Sequence, residues 1–173
     1  APDEPAVLRA ALAQAHADVV LVTGASGPGP ADHLRTVLAA AGAELLVDGV
    51  ACRPGHPQAM ARLPDGRLVV GLPGNPLAAL VAFLTLAAAA LAGLGGRELP
   101  ELARLPARGV RPHPTEHKIV PVRVREGVAR PVGHDGPAML RGAVVADRLA
   151  VVSPADAATV RLLPEPGVAP WAG

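Results

Sequence analysis

Arg67-Leu68-Val69-Val70-Gly71-Leu72-Pro73-Gly74-Asn75-Pro76 runs directly into Leu77 to Leu94, a stretch with no charged residue. A short apolar run, a Pro-Gly-Asn-Pro break and a long apolar segment read as a buried strand, a tight loop and a helix. Asn75 stands where a cap accepts the first orphan N–H groups, and Pro76 suits the first helical position. Gly71 and Gly74 leave room for a ligand to touch backbone, and an anion is favoured at such a turn. The apolar run reaches the length of a membrane span. Its Ala and Gly content, its capped entry and the absence of flanking Lys or Arg clusters favour a buried core helix instead.

Working outward, Pro64-Asp65-Gly66 is a turn between two short strands, the second of which feeds the Pro-Gly-Asn-Pro loop. Val7, Leu8, Ala11, Leu12 and Ala15 recur at helical spacing behind the start signal Asp3 and Pro5. Asp18-Val-Val-Leu-Val-Thr23 is a continuous apolar run of the kind buried on both faces of a parallel sheet, and it opens into a glycine-rich loop. Asp32 is placed to cap a second helix through Leu34, Val37, Leu38 and Ala41, closed by Gly42. With Glu44 to Val50 returning as a strand, this is a βαβ unit.

Beyond Gly95 the helical patterns stop. Ile119 to Val124, Val128 to Val132, Leu149 to Val152 and Thr159 to Leu163 are short strand-like segments separated by Gly, Pro and Asp. The expected organisation is an α/β domain over 1–98 and a small carboxy-terminal β domain over 105–168.

Half of the 173 residues are apolar, enough for a core, and the 19 glycines and 20 prolines recur without a period, which argues against collagen-like or linker sequence. A net charge of +1 with one Trp and one Phe offers neither a basic field nor a stacking platform, so nucleic acid is a poor partner. Cys52 is the single cysteine, and the amino terminus has no basic-then-apolar leader, so cytoplasm is the default location.

Three loops fall at one end of the inferred sheet: Thr23 to Asp32, Arg53 to Pro57 and Pro73 to Pro76. Loops at the carboxyl ends of parallel strands converge on a ligand crevice. The first supplies backbone donors and Asp32, the second Arg53 and His56, the third a helix amino terminus. Together they suit a phosphate-bearing ligand with a metal nearby. Competing motifs fall away. Lys118 is the single lysine and follows no glycine loop, which excludes a Walker A loop. Ser26 lacks the spacing of a nucleophile elbow and reads as a turn residue. His113 and His117 are four apart, but Pro114 breaks the helix that would align them on zinc. Glu116 and Glu126, near arginines, read as ordinary surface charges.

Asp18-Val-Val-Leu-Val-Thr-Gly24, Pro30-Ala-Asp32, Asp48-Gly-Val-Ala-Cys-Arg-Pro-Gly-His-Pro57 and Gly71-Leu-Pro-Gly-Asn-Pro-Leu-Ala-Ala-Leu80 resemble, in order and spacing, the MoeA/gephyrin family of molybdopterin molybdenumtransferases. Gly133-His-Asp-Gly-Pro-Ala-Met-Leu140 and Ala146-Asp-Arg-Leu149 resemble that family's carboxy-terminal barrel. The resemblance implies an incomplete doubly wound sheet of the MogA-like molybdopterin-binding kind followed by a small β-barrel. It implies insertion of molybdate into adenylylated molybdopterin with Mg²⁺ and release of AMP, in a cytoplasmic homodimer. Carried over by motif, Asp32 is the catalytic and Mg²⁺-binding residue. Thr23, Gly24, Ser26, Gly27, Arg53, Pro54, Gly55, His56, Pro57, Pro73, Gly74, Asn75 and Pro76 hold molybdopterin.

Three departures stand out. Arg53-Pro-Gly-His-Pro57 replaces the family's Lys-Pro-Gly-Lys-Pro, so a permanent planar cation and an imidazole stand for two lysines. Pro137 takes the place of a serine. The family's opening strand and helix and two earlier domains have no counterpart here, so the chain reads as the rear portion of a longer protein whose open sheet edge needs a partner. The alternative to an enzyme is a divergent homologue that binds molybdopterin or scaffolds without catalysis.

Overall fold

The computed structural model describes residues 4–24 and 33–164. Strands β1 (Val19–Thr23), β2 (Glu44–Asp48), β4 (Ala59–Arg62) and β5 (Leu68–Leu72) form a mixed sheet in the order β1-β5-β4-β2. β1 and β5 are parallel, paired from Val19 with Leu68 to Thr23 with Leu72. β4 and β5 are an antiparallel hairpin, and β2 is antiparallel to β4 with a bulge between Leu45 and Val47. β1 and β2 therefore run in the same direction, as a βαβ unit requires, but β5 and β4 stand between them.

The Pro64-Asp65-Gly66 turn makes the hairpin. Gly66 has φ +92 and its N–H donates to the Leu63 carbonyl at 2.9 Å. Arg67 reaches back from the turn, its Nη1 donating to the carbonyls of Leu12 and Ala15 at 2.8 Å each. These belong to the carboxyl end of α1 (Pro5–Gln14), so one guanidinium ties that helix to the sheet.

α1 and α2 (Leu34–Ala40) cover one face through Leu12, Leu34, Val37, Leu38, Ala61, Leu63 and Val69. The other face belongs to α3, the helix Pro76–Leu94, which packs Ala82, Leu86, Ala87 and Ala90 on Val70 and Leu72. Val69 and Val70 thus point to opposite faces, and β5 is buried on both, as its unbroken apolar run requires. β1 differs from that expectation. Among the described residues it is an edge strand, and Leu21 is 42% exposed because no element covers that part of the sheet.

The second sheet has the order β3-β7-β9-β10-β6, with β8 on the far side of β7. Its strands are β3 (Cys52–Arg53), β6 (Arg104–Pro106), β7 (His117–Arg125), β8 (Val128–Pro131), β9 (Arg148–Ser153) and β10 (Asp156–Leu162). No closed ladder is formed among the described residues, in contrast to the expected barrel. A single bridge, Ala107 to Ala129, brings the two ends of the sheet together. β6 and a short helix, Leu140–Val145, were not expected from the sequence.

α3 sits between the two sheets. Leu77, Val81 and Leu84 on its second face pack with Cys52, Ile119, Leu149 and Leu163. This two-sided burial explains a helix with no charged face, the same property that makes it long and apolar enough for a membrane span by composition. Its centre, Phe83–Ala87, is a π-helical turn. Thr85 Oγ1 lies there between the Val81 carbonyl (2.8 Å) and Oε1 of the fully buried Gln58 (3.1 Å).

Candidate functional site

The link between the sheets is two residues long. Cys52 pairs with His117 and Arg53 with Lys118 in the parallel β3–β7 ladder, so the loop that joins β2 to β4 of the first sheet is stitched into the second. The chain then turns through a cis Arg53–Pro54 peptide and Gly55, which has φ +115. A side chain at Gly55 would meet Val81 Cγ1 at 3.1 Å and Cys52 Sγ at 3.4 Å. Only glycine fits both the conformation and the space. Gln58 fastens the loop from beneath, its Nε2 donating to the Gly55 carbonyl at 3.1 Å.

A cleft of about 260 Å³ opens over this loop. Arg53, Pro54, Gly55, His56 and Pro57 form one wall, Pro73, Asn75 and Ala78 another, and Lys118, Asp135 and Pro137 the third. Of the expected ligand-binding residues, the second and third loops are therefore brought together. Gly74 and Pro76 flank them at the surface. Thr23 and Gly24 do not line the cleft but abut its edge: the Gly24 N–H donates to the Leu72 carbonyl at 3.1 Å, and a Cβ on Gly74 would meet Gly24 Cα at 3.3 Å. Ser26, Gly27 and Asp32 lie outside the described residues.

Several local expectations are corrected. Asn75 occupies the N-cap position of α3 but makes no side-chain cap bond. The N–H groups of Leu77 and Ala78 instead donate to the Pro137 carbonyl at 2.9 and 3.2 Å, so the helix amino terminus is already occupied by backbone and is not open to an anion. Proline at 137 lacks the serine hydroxyl, yet its carbonyl does the capping. Gly71 is buried within β5, paired to β1 and β4, and offers no backbone to a ligand. His33, not Asp32, holds the N-cap position of α2, and it makes no side-chain cap bond.

Charge in the cleft is organised in two groups. Lys118 Nζ lies 2.7 Å from Asp135 Oδ2, and this bond holds the Asp135 carboxyl below its usual range against the opposing effect of partial burial. Glu116, only 14% exposed, forms the second group: one carboxylate oxygen accepts from Arg53 Nε and the other lies 3.2 Å from His56 Nδ1. The Arg53 bond is the main reason that the Glu116 carboxyl lies below the ordinary range. His113 is also near: its Nδ1 accepts the Glu116 backbone N–H at 3.1 Å and lies 3.8 Å from the carboxylate. Burial pushes the Cys52 thiol up, which keeps it a neutral neighbour and not a thiolate.

Glu116, Lys118, Asp135 and Gln58 were missed by reading the chain linearly. Lys118 had one available signal, as the single lysine opposite Arg53 in the register, but that register is invisible without the fold. Glu116, read as a surface charge, is a buttress of the site. A larger cavity of about 330 Å³ lies on the other side of Cys52, lined chiefly by apolar residues such as Leu84, Leu102, Ile119 and Leu163.

The fold and cleft define a mixed α/β protein whose two sheets share a cation-bearing pocket. Residues 1–93 match the family model described as a probable molybdopterin binding domain, and the chain belongs to that family. It is 35% identical over 98 residues to a molybdopterin molybdenumtransferase of Nostoc sp., covering 54% of this chain and 22% of that relative. A relative of the same name from Haemophilus influenzae is 36% identical over 99 residues, covering 56% and 24%. The chain spans under a quarter of the length of these curated relatives. Among solved structures, a molybdenum cofactor biosynthesis protein from Pyrococcus furiosus superposes with TM-score 0.68 at 26% identity, over 95% of this chain and 54% of that one. The molybdopterin biosynthesis MoeA protein from Pyrococcus horikosii superposes with TM-score 0.72 over 93% of this chain and 41% of that one; at 24% identity this supports the fold alone.

Proposed function

We propose that the protein acts in molybdenum cofactor biosynthesis, and that the cleft beside Arg53 holds molybdopterin for insertion of molybdate with release of AMP from the adenylylated form. The carrying observation is the convergence of Arg53, His56 and Lys118 on one cleft within a molybdopterin-binding family member. A guanidinium fork suits a phosphate bidentately, and an ammonium adds a point charge. Mg²⁺ has Asp32 as its proposed ligand. The two described carboxylates near the cleft, Glu116 and Asp135, are committed to cations and do not fit a divalent ion.

The remaining parts of the reading follow. Residues 1–98 serve as the molybdopterin-binding portion, with the β segments over 105–168 completing the cleft as a small barrel-like domain. Leu21 on β1 and Leu45 on β2, 42% and 44% exposed at the two edges of the first sheet, support burial against a partner, with a homodimer the proposed form. Cytoplasm is the proposed location.

The assay is molybdate-dependent AMP release from adenylylated molybdopterin by the full-length protein. Release above blank is expected, and its absence overturns the catalytic reading. A second reading, binding without turnover, is favoured by one observation: both residues standing for the family lysines are engaged by Glu116. Under that reading, Arg53→Lys combined with His56→Lys raises turnover. A native rate that the double substitution does not improve removes it.

A further inference from the structure

Arg53 and His56 are held at their inner nitrogens only. Glu116 takes Nε of the arginine and Nδ1 of the histidine, one oxygen each, while both side chains remain 61% exposed. The outer nitrogens, the two Nη of Arg53 and Nε2 of His56, have no bonded partner among the described residues. Glu116 itself does not line the cleft. It sits one position before the β3–β7 ladder, because His117 pairs with Cys52. Its backbone N–H is fixed by His113 Nδ1 at 3.1 Å, so the carboxylate has a fixed base from which to reach both side chains.

We infer that Glu116 is a positioning residue that yokes Arg53 to His56, so that their outer nitrogens meet a ligand phosphate as one preformed unit. This rests on the anion-binding reading of the cleft and adds to it how the two donors cooperate. Neither side chain is packed on all sides, and each would lose freedom on meeting a ligand; a shared carboxylate removes that freedom beforehand. Removing either side chain lets the carboxylate swing wholly onto the other and turn it from the cleft. The two residues should therefore behave as one in binding.

The test is a double-mutant cycle read by calorimetric titration of inorganic pyrophosphate into the full chain. In the wild-type background, Arg53→Ala and His56→Ala should each weaken binding about tenfold, with the double substitution within about threefold of either single. In the Glu116→Gln background the coupling should vanish and the two losses multiply, because the amide puts an NH2 donor where one of the two carboxylate oxygens stood, facing one of the two donors. Glu116→Asp keeps the charge but shortens the reach, and should abolish the coupling too; it also serves if the Gln variant melts at assay temperature. Additive losses in the wild type, or coupling that persists in either Glu116 variant, overturn the inference while leaving the site in place. Pyrophosphate affinity untouched by Arg53→Ala and by His56→Ala would instead overturn the anion-binding reading itself.

Discussion

At the scale of single residues, the cleft depends on the Gln58 side chain and on the missing side chain of Gly142, neither of which lines it. A Cβ on Gly142 would collide with the His134 carbonyl oxygen, so only glycine lets the Gly133-His134-Asp135 turn rest on the short helix. That turn carries Asp135 to Lys118 and the Pro137 carbonyl to α3. Gly142→Ala should cost at least about 2 kcal/mol in urea unfolding, through forced displacement of backbone by overpacking, and should weaken cleft binding with it. Gln58→Met keeps volume but removes the side-chain donor to the Gly55 carbonyl, which retains the Gln58 backbone N–H at 3.2 Å, and the second acceptor beside Thr85, whose hydroxyl retains the Val81 carbonyl. A loss of about 0.5–1.5 kcal/mol is expected, the net worth of a hydrogen bond whose partners keep another. Asn75→Ala, by contrast, should cost under about 0.5 kcal/mol, because no cap bond is there to lose. A loss near 1 kcal/mol would restore Asn75 as a cap. Gly74 carries no positive φ, so Gly74→Val acts through the 3.3 Å approach to Gly24, and its effect should register in melts as well as in ligand titrations.

At the scale of elements, the segment joining His113 to β7 ties the loop of β3 into the cleft, and it does so by charge. Glu116 is held below the ordinary glutamate value of about 4.3 chiefly by Arg53. A depressed folded value means stability that is present above the unfolded value and lost as pH falls through the folded one. The stability difference between wild type and Glu116→Gln should therefore shrink as pH is lowered from 7 toward 3, read by urea unfolding at each pH. A difference constant across that range would mean that the ion pair contributes nothing. This element also marks where the sequence stopped being readable. The hairpin at Pro64-Asp65-Gly66, the helix after Pro76 and the strand segments from Ile119 onward carry local signals of turn chemistry and periodicity, and each lies where those signals put it. Glu116 and Arg53 are 63 positions apart, and no local rule brings them together. β6, three residues long, and the Leu140–Val145 helix have too little pattern to stand out, and the capping role of the Pro137 carbonyl uses a backbone atom that any residue supplies.

At the scale of the whole molecule, α3 is the shared core. Its first face serves one sheet and its second face the other, and the cleft opens where its amino terminus meets the β3–β7 ladder. This arrangement explains why an uncharged helix, a loop with Arg53 and His56 and a distant lysine belong to one site: each is held by packing that the other sheet completes. Disturbing the interface should therefore reach the ligand. Leu77→Ala, a fully buried position beside the cleft, should cost about 2–5 kcal/mol and weaken ligand binding more than the same change at Leu38, which lies in the core on the opposite face of the first sheet. The central claim is that this cleft holds molybdopterin through its cations. Its most direct test is titration of molybdopterin into the full-length protein, wild type and Arg53→Ala, with matched thermal melts. The account predicts binding by the wild type and a loss of at least about tenfold in the variant, as for a charged hydrogen bond worth about 1.5–3 kcal/mol. Equal affinity in a folded Arg53→Ala protein would contradict it.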